Sequence, residues 1–256
     1  MKKINVTAVS YLNTKPFLFG LISKNWDSNL NIKLDIPSAC ARKLSEGKAD
    51  IGLIPVAALL DDPELKVISS YCIGSDGPVR TVAIFADQEI HKLKRIYLDF
   101  HSRTSVQLAK ILLQQYWEVD VELIPAEKGF MDNIGGDTGA LVIGDRTVEL
   151  EQKHSYIYDL SAAWKDWTGK PFVFAVWVSR VDLPEKFILK FNEALALGVQ
   201  EIDRLIYLMP PMSEDFDIHE YFTRYISYEL DDSKREALQQ FLTAINGGPF
   251  DLKFLQ

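Results

Sequence analysis

The sequence predicts an α/β protein made of two lobes. Strand and helix signals alternate along most of the chain, and two long apolar strands, near 79–86 and 172–181, flank a self-contained α/β unit. Two chain crossings between lobes form a hinge, and small-molecule sites prefer such interfaces. We therefore expect a discontinuous lobe one at 1–86 plus 176–256, with a helical C-terminus, and an inserted lobe two at 87–175, with a cleft between them.

The first part of the chain reads as short strands separated by short helices. A strand over Ile4–Val9 leads through a polar turn into a helix over Lys15–Ser23, and alternating apolar and polar residues predict a half-buried strand at 30–36. Pro37 opens the next short helix and Gly47 ends it, as a glycine after a helix should. The remaining elements are strands at 50–55, 66–72 and 79–86, a helix at 56–60 and a turn at 74–78.

A second unit is predicted to begin near Lys94. Its clearest element is a helix over 102–116, whose apolar face includes Val106, Ala109 and Leu113. The other expected elements are strands at 95–99, 119–124, 140–143 and 171–181, a glycine-rich loop at 135–139, and helices at 185–205, around 219–226 and at 233–245.

Composition limits the classes of function. The 256 residues are 47% hydrophobic and 25% charged, as in an ordinary soluble domain, and the net charge of −8 argues against a nucleic-acid partner. No apolar stretch is long enough to span a bilayer, so membrane insertion is not expected. The basic start at Met1 lacks the apolar body of a signal peptide, which predicts a cytoplasmic protein. Cys40 and Cys72 form no CxxC pair and are expected to be buried, inert thiols.

The polar turn after the first strand is the first candidate site. Ligands of open α/β sheets lie beyond the carboxyl ends of strands, and here Ser10, Asn13 and Thr14 bring two hydroxyls and an amide to that position. Pro16 suits the first turn of a helix because its missing N–H would be unpaired there anyway. The alternative is an ordinary helix cap, since Ser, Thr and Asn all serve that role.

The second candidate site is the start of the 102–116 helix. Ser102, Arg103, Thr104 and Ser105 combine hydroxyls with the free N–H groups and dipole of a helix N-terminus, which favour an anion. The alternative is a simple N-cap, but one hydroxyl suffices for a cap and three are clustered here, so ligand contact is favoured. His101 is the one histidine worth testing, because it adjoins this cluster.

Two further places carry polar groups next to strands. Arg80 and Thr81 are predicted on opposite faces of a hinge strand, so that one of them faces the cleft; the alternative is a solvated arginine and a strand-forming threonine. Asp145 follows Gly144 after a buried strand, where an N-cap is the favoured interpretation over a catalytic acid.

The residues predict no metal site and no nucleotide-binding loop. The four histidines lack metal-ligand spacing, and HExxH, GxSxG, P-loop and GxGxxG patterns are missing from the sequence. The segment 164–172 is an unusual aromatic loop that could form an apolar wall or lid, although such aromatics more often belong to a core. Physical reasoning thus indicates a two-lobed protein for a small anion, and leaves open an enzyme or a solute-binding protein.

The same segments resemble the chorismate dehydratase family, which acts in the futalosine route to menaquinone. The resemblance runs in order from about residue 4 to residue 180. It is carried by the segment from Val9 to Pro16, Ile54-Pro55, the strand 77–82, Leu98-Asp99 with Ser102 to Ser105, Ile143-Gly144-Asp145, and the segment from Trp167 to Trp177.

This resemblance implies the fold of type II periplasmic binding proteins and the conversion of chorismate into 3-[(1-carboxyvinyl)oxy]benzoate and water. It implies no metal and no organic cofactor, with the small anion chorismate as partner and a monomer or homodimer as assembly. A sibling family, 1,4-dihydroxy-6-naphthoate synthase, typically has an acid after the asparagine of the first turn, whereas Thr14 follows Asn13 here. That sibling and a non-catalytic anion-binding protein remain the alternatives.

The resemblance also implies roles for individual residues. Two departures from the family pattern stand out: Thr81 replaces the usual serine, and Phe100-His101 replace smaller residues. The expected catalytic residues are Asn13, Thr81 and Asp145, and the expected substrate-binding residues are Ser10, Tyr11, Thr14, Pro55, Arg80, Ser102, Arg103, Thr104, Ser105 and Phe172.

Overall fold

The computed structural model describes residues 3–23, 30–210 and 216–255. The chain divides into two compact units, the first formed by Met1–Gly74 with Val173–Gln256 and the second by Ser75–Phe172. Each unit has its own sheet.

The described elements alternate between strands and helices. The strands are β1 (Ile4–Val9), β2 (Leu30–Asp35), β3 (Ile51–Pro55), β4 (Lys66–Ser75), β5 (Val82–Ala86), β6 (Arg95–Leu98), β7 (Glu122–Pro125), β8 (Thr138–Ile143), β9 (Tyr156–Asp159), β10 (Phe172–Ser179) and β11 (Ser227–Glu229). The helices are α1 (Lys15–Ser23), α2 (Pro37–Ser45), α3 (Arg103–Ile111), α4 (Thr147–Leu150), α5 (Leu160–Thr168), α6 (Glu185–Gln200), α7 (Ile202–Leu208), α8 (Ile218–Glu220) and α9 (Asp232–Asn246).

The first unit is built on a six-stranded sheet in the order β11-β4-β10-β3-β1-β2. β1 pairs in parallel with both β2 and β3, while β10 runs antiparallel to β3. β3 and β10 are buried along their whole length, which matches their continuous apolar sequences. Parallel pairing brings the carboxyl ends of β1, β2 and β3 to one edge of the sheet, where the first candidate turn begins.

Helices α1 and α6 of the first unit cross at two glycines. A Cβ atom built on Gly20 would lie 1.8 Å from the carbonyl oxygen of Ala194, and one built on Gly198 would lie 1.8 Å from that of Pro16. The two backbones can therefore approach this closely only because both positions lack a side chain.

The second unit has a five-stranded sheet in the order β7-β6-β8-β5-β9. β6 runs parallel to β7 and β8, whereas β5 runs antiparallel to β8 and β9. One core cluster of this unit joins Phe85, Ala140 and Val142 of the sheet to Phe130 of a 3₁₀ turn and Leu150 of α4.

The strand predicted over 79–86 is shorter in the structure. β5 begins at Val82, and its partners are strands of the second unit, although the predicted lobe one extended to residue 86. Arg80 has a φ of 63°, which a strand does not accommodate, so Arg80 and Thr81 do not lie on opposite faces of a strand as expected.

The segment 164–172 is not a loop, contrary to the sequence-based expectation. Trp164 and Trp167 belong to α5, which Asp159 caps at its start and which ends at Gly169 with a φ of 71°. Trp164 is buried and donates its indole N–H to the Pro171 carbonyl oxygen at 3.2 Å, so this ring is core rather than lid. Periodicity missed α5 because the helix has only nine residues and follows directly on the short strand β9.

Other boundaries shift by a few residues. The helix predicted over 102–116 is present as α3 and continues through a π-helical turn over Leu112–Tyr116. The helix predicted over 185–205 is divided at Glu201 into α6 and α7. In the parts of the chain that the structure describes, helices fall short of the length and apolar character that crossing a membrane requires.

Candidate functional site

One edge of the second unit's sheet gathers three of the predicted site segments: Arg80 with Thr81, the start of α3, and Asp145. Leu98 of β6 lies opposite Leu141 of β8, and Val82 of β5 lies opposite Ile143, so the end of β6, the end of β8 and the start of β5 meet there. β9 ends at the same edge, because Asp159 pairs with Ala83. Because β5 runs antiparallel to β8 and β9, the turn that precedes β5 lies beside the turns that follow β6, β8 and β9.

The start of α3 shows which hydroxyl forms the cap. Ser102 is the N-cap, and its Oγ accepts the backbone N–H of Ser105 at 3.1 Å. The Ser102 hydroxyl also donates to Oγ of Ser105 at 3.1 Å, and Thr104 is buried beside them. The N-cap interpretation therefore holds for Ser102, while Thr104 and Ser105 carry the further hydroxyls that a cap does not need.

Asp99 is a buried carboxylate beneath the start of α3. Its Oδ1 accepts the backbone N–H of His101 at 3.0 Å, and its Oδ2 accepts that of Ile143 at 3.1 Å. Oδ2 also accepts a hydrogen bond from Nη2 of Arg146. Asp99 therefore ties the loop before α3 to the end of β8, and its negative charge is balanced by the Arg146 guanidinium.

His101 belongs to this network, and its surroundings favour the neutral form of its imidazole. Burial and the positive charge of Arg146 lower the pKa of His101, against the opposing effect of Asp99. Its ring meets the Phe100 ring edge-on at a centroid distance of 4.5 Å, and Phe100 itself is about half exposed (48%).

The turn before β5 holds Arg80 and Thr81. The Thr81 N–H donates to the Val79 carbonyl oxygen at 2.8 Å, which closes a three-residue γ-turn around the positive φ of Arg80. Such a conformation costs a non-glycine residue about 1–3 kcal/mol and is concentrated at functional sites. The Arg80 guanidinium forms a two-point ion pair with Glu151, so it is not the solvated arginine considered as the alternative.

The segment after β8 turns sharply at Gly144, whose φ is 71°. A short 3₁₀ turn over Gly144–Arg146 follows, and Asp145 lies inside it, half-buried, rather than at an N-cap. The Gly144 N–H donates to the Thr81 carbonyl oxygen at 2.9 Å. Asp145 and Thr81 are therefore neighbours on adjacent strand ends, as two of the three predicted catalytic residues.

A cavity of about 330 Å³ lies along α3 in the second unit. Ser102, Arg103 and Lys110 line it together with apolar groups of Phe100, Val106 and Pro125. Arg103 and Lys110 are exposed, and the lining also includes Asp99, whose carboxylate pairs with Arg146, so this cavity combines two positive charges, one paired carboxylate and a hydroxyl with an apolar wall. Such a lining suits a small organic anion.

The predicted residues of the first unit lie at the edge of its own sheet. Ser10 is exposed and donates its backbone N–H to the Asp35 carbonyl oxygen at 2.9 Å, and Tyr11 begins a 3₁₀ turn without a side-chain cap. The Thr14 hydroxyl donates to Oδ1 of the half-buried Asn13 at 3.3 Å, which leaves the Nδ2 group as the donor that Asn13 can offer. Pro55 ends β3 and is buried.

Phe172, an expected substrate-binding residue, packs in the core of the second unit. It is buried at the start of β10, with its ring edge-on to that of Trp164 at 5.4 Å. This contact gives Phe172 a packing role.

Sequence reasoning missed the charged residues that hold these turns. Asp159, Glu151 and Arg146 were not among the expected site residues, and Asp99 entered only through the resemblance. A usable signal existed for both aspartates, because Asp99 directly follows a short strand, Asp159 ends one, and each precedes a helix or its capping loop. Glu151 carries no such signal, since its partner Arg80 is 71 residues away.

Comparison with known proteins gives relatives along nearly the whole chain. A chorismate dehydratase from Thermus thermophilus is 25% identical over 239 residues, covering 84% of this chain and 86% of that protein. A chorismate dehydratase from Campylobacter jejuni is 23% identical over 246 residues, covering 92% of this chain and 95% of that protein.

Solved structures agree on the fold. A protein from Archaeoglobus fulgidus matches with a TM-score of 0.72 at 17% identity, covering 96% of this chain and 98% of its own. A Candida albicans protein described as having the generic periplasmic binding protein fold gives 0.62 at 14%, with 98% and 92% covered. The aliphatic sulphonate binding protein of Escherichia coli gives 0.59 at 12%, with 96% and 92% covered. The predicted periplasmic-binding-protein-like α/β fold is confirmed.

The sequence profile of one family spans almost every element described above. It matches residues 4–246, from the first strand to the end of α9. The chain therefore belongs to the menaquinone biosynthesis family.

Proposed function

We propose that this protein is a chorismate dehydratase, a carbon–oxygen lyase that converts chorismate into 3-[(1-carboxyvinyl)oxy]benzoate and water. The observation that carries the proposal is the agreement of two curated dehydratases over 84% and 92% of the chain, within a family of menaquinone biosynthesis. The placement of uncharged donors at the strand ends supports it, because chorismate carries two carboxylates and needs donors rather than acids around them.

The substrate carboxylates are assigned to the second unit's sheet edge. The hydroxyls of Thr104 and Ser105 and the N–H groups at the start of α3 donate to one carboxylate, and the helix dipole favours its negative charge. The Thr81 hydroxyl, which donates to the Val79 carbonyl oxygen at 3.4 Å in this structure, is assigned to the other substrate carboxylate, toward which it rotates when substrate binds. Arg103, with its place in the cavity along α3, adds a positive charge near this edge.

The reaction removes the proton on ring C3 and the hydroxyl on C4. The C3–H bond is conjugated through the ring double bond with the ring carboxylate, so donors to that carboxylate stabilise the negative charge that develops on deprotonation. One well-placed donor of this kind contributes about 3–4 kcal/mol. The C4–O bond then breaks, the proton and hydroxide leave as water, and the ring becomes aromatic. The Nδ2 donor of Asn13 is assigned to the C4 hydroxyl or to the C3 edge.

The proton acceptor is assigned to the substrate's own enolpyruvyl carboxylate or to a water molecule. Asp99 and Asp159 are poor candidates, because their oxygens already accept backbone N–H groups. Holding a reactive group beside its target supplies about 7–11 kcal/mol in favourable cases, so positioning can replace a strong base. Asp145 also lies at this edge and is the second choice, as an acid or an orienting group.

A direct test incubates the purified protein with chorismate and follows the reaction by absorbance and mass spectrometry. We expect loss of the diene absorbance and appearance of a product lighter by one water. Chorismate that stays unchanged contradicts the proposal. Consumption of cyclic dehypoxanthinyl futalosine in place of chorismate would instead identify the sibling naphthoate synthase.

Substitution of the assigned donors tests the site. Asn13→Ala and Thr81→Val each remove one donor and should lower kcat by roughly 10²–10³-fold without unfolding the protein. Gly248→Ala is the matched control, because a Cβ atom there meets nothing within 4 Å. Wild-type rates in both site variants would show that the assigned residues are wrong even if chorismate is the substrate.

We also propose that the reaction belongs to the futalosine route to menaquinone and takes place in the cytoplasm. The family description supports the end product of the route. Deleting the gene in its host should abolish menaquinone, and supplied 3-[(1-carboxyvinyl)oxy]benzoate should restore it. Failure of that compound to restore menaquinone contradicts the assignment.

A further inference from the structure

The turn that carries Thr81 is strained and is held from two sides within the second unit. Arg80 at its centre has a φ of 63°, and among the described residues Glu118 alone shares a positive φ without being glycine. Left-handed backbone at an arginine persists only where the surroundings enforce it.

Asp159 supplies the first of these constraints. Its Oδ2 accepts the backbone N–H groups of Val79 at 2.9 Å and of Arg80 at 2.7 Å. Its Oδ1 accepts those of Ser161 at 2.9 Å and of Ala162 at 3.0 Å, which caps α5. One carboxyl group therefore joins the γ-turn to the start of a helix through four backbone hydrogen bonds.

Glu151 supplies the second constraint. Its Oε1 accepts from Nε of Arg80 at 3.1 Å and its Oε2 from Nη2 at 2.5 Å, and both side chains are only 20% exposed. Because Glu151 directly follows α4, the Arg80 guanidinium is held beside the C-terminus of that helix. This ion pair fixes the residue at the centre of the turn.

Both constraints on Arg80 also restrict the backbone of Thr81, which is the next residue. Its N–H is fixed by the Val79 carbonyl oxygen at 2.8 Å, and its carbonyl oxygen accepts the Gly144 N–H at 2.9 Å. The turn thus fixes the peptide group before the Thr81 side chain and accepts the Thr81 hydroxyl at the Val79 carbonyl oxygen, at 3.4 Å, while the Gly144 N–H fixes the peptide group after it. We infer that Asp159 is a positioning residue for Thr81, acting through the strained turn at Arg80; this inference rests on the proposed function, in which Thr81 is a donor to substrate.

The first measurement compares Asp159→Asn with Asp231→Asn. An asparagine has one accepting oxygen, so Asp159→Asn leaves either the turn or the α5 cap without its acceptor, and Asp159→Ala, measured beside it, removes the acceptor from both. Asp231 caps α9 in the first unit, where its Oδ1 accepts the Lys234 N–H at 2.8 Å and its Oδ2 pairs with the buried Lys234 ammonium at 2.6 Å, so Asp231→Asn controls for the loss of a capping carboxylate elsewhere. We expect Asp159→Asn to lower kcat by about 10- to 100-fold with a smaller change in KM, as misplacement of a catalytic group does. Asp231→Asn should keep the wild-type kcat.

A double-mutant cycle separates positioning from general damage to the fold. If Asp159 acts through Thr81, then Asp159→Asn should lower kcat by no more than about 2-fold once Thr81→Val is present. Effects that multiply across the two sites overturn the inference.

Amide hydrogen exchange without substrate tests the same contact independently of activity. Asp159→Asn should speed exchange at Val79, Arg80 and Thr81, and Asp231→Asn should leave those amides at the wild-type rate. Unchanged exchange at these amides in both Asp159→Asn and Asp159→Ala overturns the inference even if the wild-type protein dehydrates chorismate. A wild-type protein inert toward chorismate removes the proposed function, and the hold of Asp159 on the turn is then decided by exchange alone.

Discussion

Individual side chains in this protein gain their properties from burial more than from residue type. Cys40 and Cys72 are the simplest case, because both are free thiols buried in the first unit, as the sequence predicted. Burial raises the pKa of the Cys40 thiol to about 11 and that of Cys72 to about 12. A thiol held in its neutral form is a poor nucleophile, so both residues serve as packing groups.

The native protein should therefore resist thiol reagents. We expect an aromatic disulfide reagent at pH 8 to titrate essentially no thiol in the folded protein and two per chain after unfolding in guanidinium, because only unfolding exposes the groups. Rapid labelling of either cysteine in the folded state would contradict this prediction.

The pKa of His101 is shifted downward, whereas the pKa values of the two thiols are shifted upward. Burial and Arg146 lower its pKa from 6.5 in the folded state, while Asp99 opposes this. Below pH 6.5 the unfolded chain then binds more protons at this residue than the folded chain, so His101 reduces the free energy of unfolding as the pH falls through its folded pKa.

Replacing His101 by glutamine should weaken the acid sensitivity. We expect the loss of unfolding free energy between pH 7.5 and pH 5, measured by urea titration, to be smaller in His101→Gln than in the wild type. Parallel pH profiles for the two proteins would show that His101 does not contribute.

At the scale of elements, close contacts and strained turns decide positions that periodicity cannot. The crossing of α1 and α6 depends on Gly20 and Gly198, since a Cβ atom at either one would overlap a backbone carbonyl oxygen. A carbonyl oxygen cannot rotate away as a flexible side chain can, so the helices would have to separate.

Gly198→Ala should therefore destabilise the protein although alanine favours helices. The propensity gain of about 1 kcal/mol is outweighed by overpacking, and we expect a net loss of about 1–3 kcal/mol in the free energy of unfolding by urea. Gly248→Ala, with open space around the new methyl group, is the control and should stay within about 0.5 kcal/mol of the wild type. Equal stability of the two variants would mean that the crossing adapts without cost.

At the scale of the whole molecule, the chain builds two units with separate sheets, and the predicted site segments fall in both. Asn13 and Pro55 belong to the first unit, and Thr81, Thr104 and Asp145 belong to the second. A ligand that binds the folded protein and not the unfolded chain stabilises the folded state by mass action.

The reaction product should therefore raise the unfolding temperature. At 100 times its Kd, 3-[(1-carboxyvinyl)oxy]benzoate should add about 2.7 kcal/mol of stability, visible by differential scanning fluorimetry. Thr81→Val and Asn13→Ala should each reduce the shift, whereas Gly248→Ala should keep it. A shift that survives in both site variants would place the ligand elsewhere.

The sequence by itself determined the alternating α/β order, the strands β1, β3 and β8, the helix α3 and the burial of both cysteines. These follow from local periodicity, from caps and from apolar runs, which depend only on neighbouring residues. It also determined the family, because the motifs from Val9 to Trp177 keep their order.

Only the tertiary structure decided how the candidate site is held. The γ-turn at Arg80 is held by Asp159 and Glu151, which lie 79 and 71 residues further along the chain. Helix α5 directly follows a strand of only four residues, so its periodicity is not visible as a separate pattern. The Asp99 carboxylate reaches Arg146 across 47 residues. Ion pairs and backbone hydrogen bonds at such separations depend on which strands become neighbours, and a local pattern carries no information about that choice.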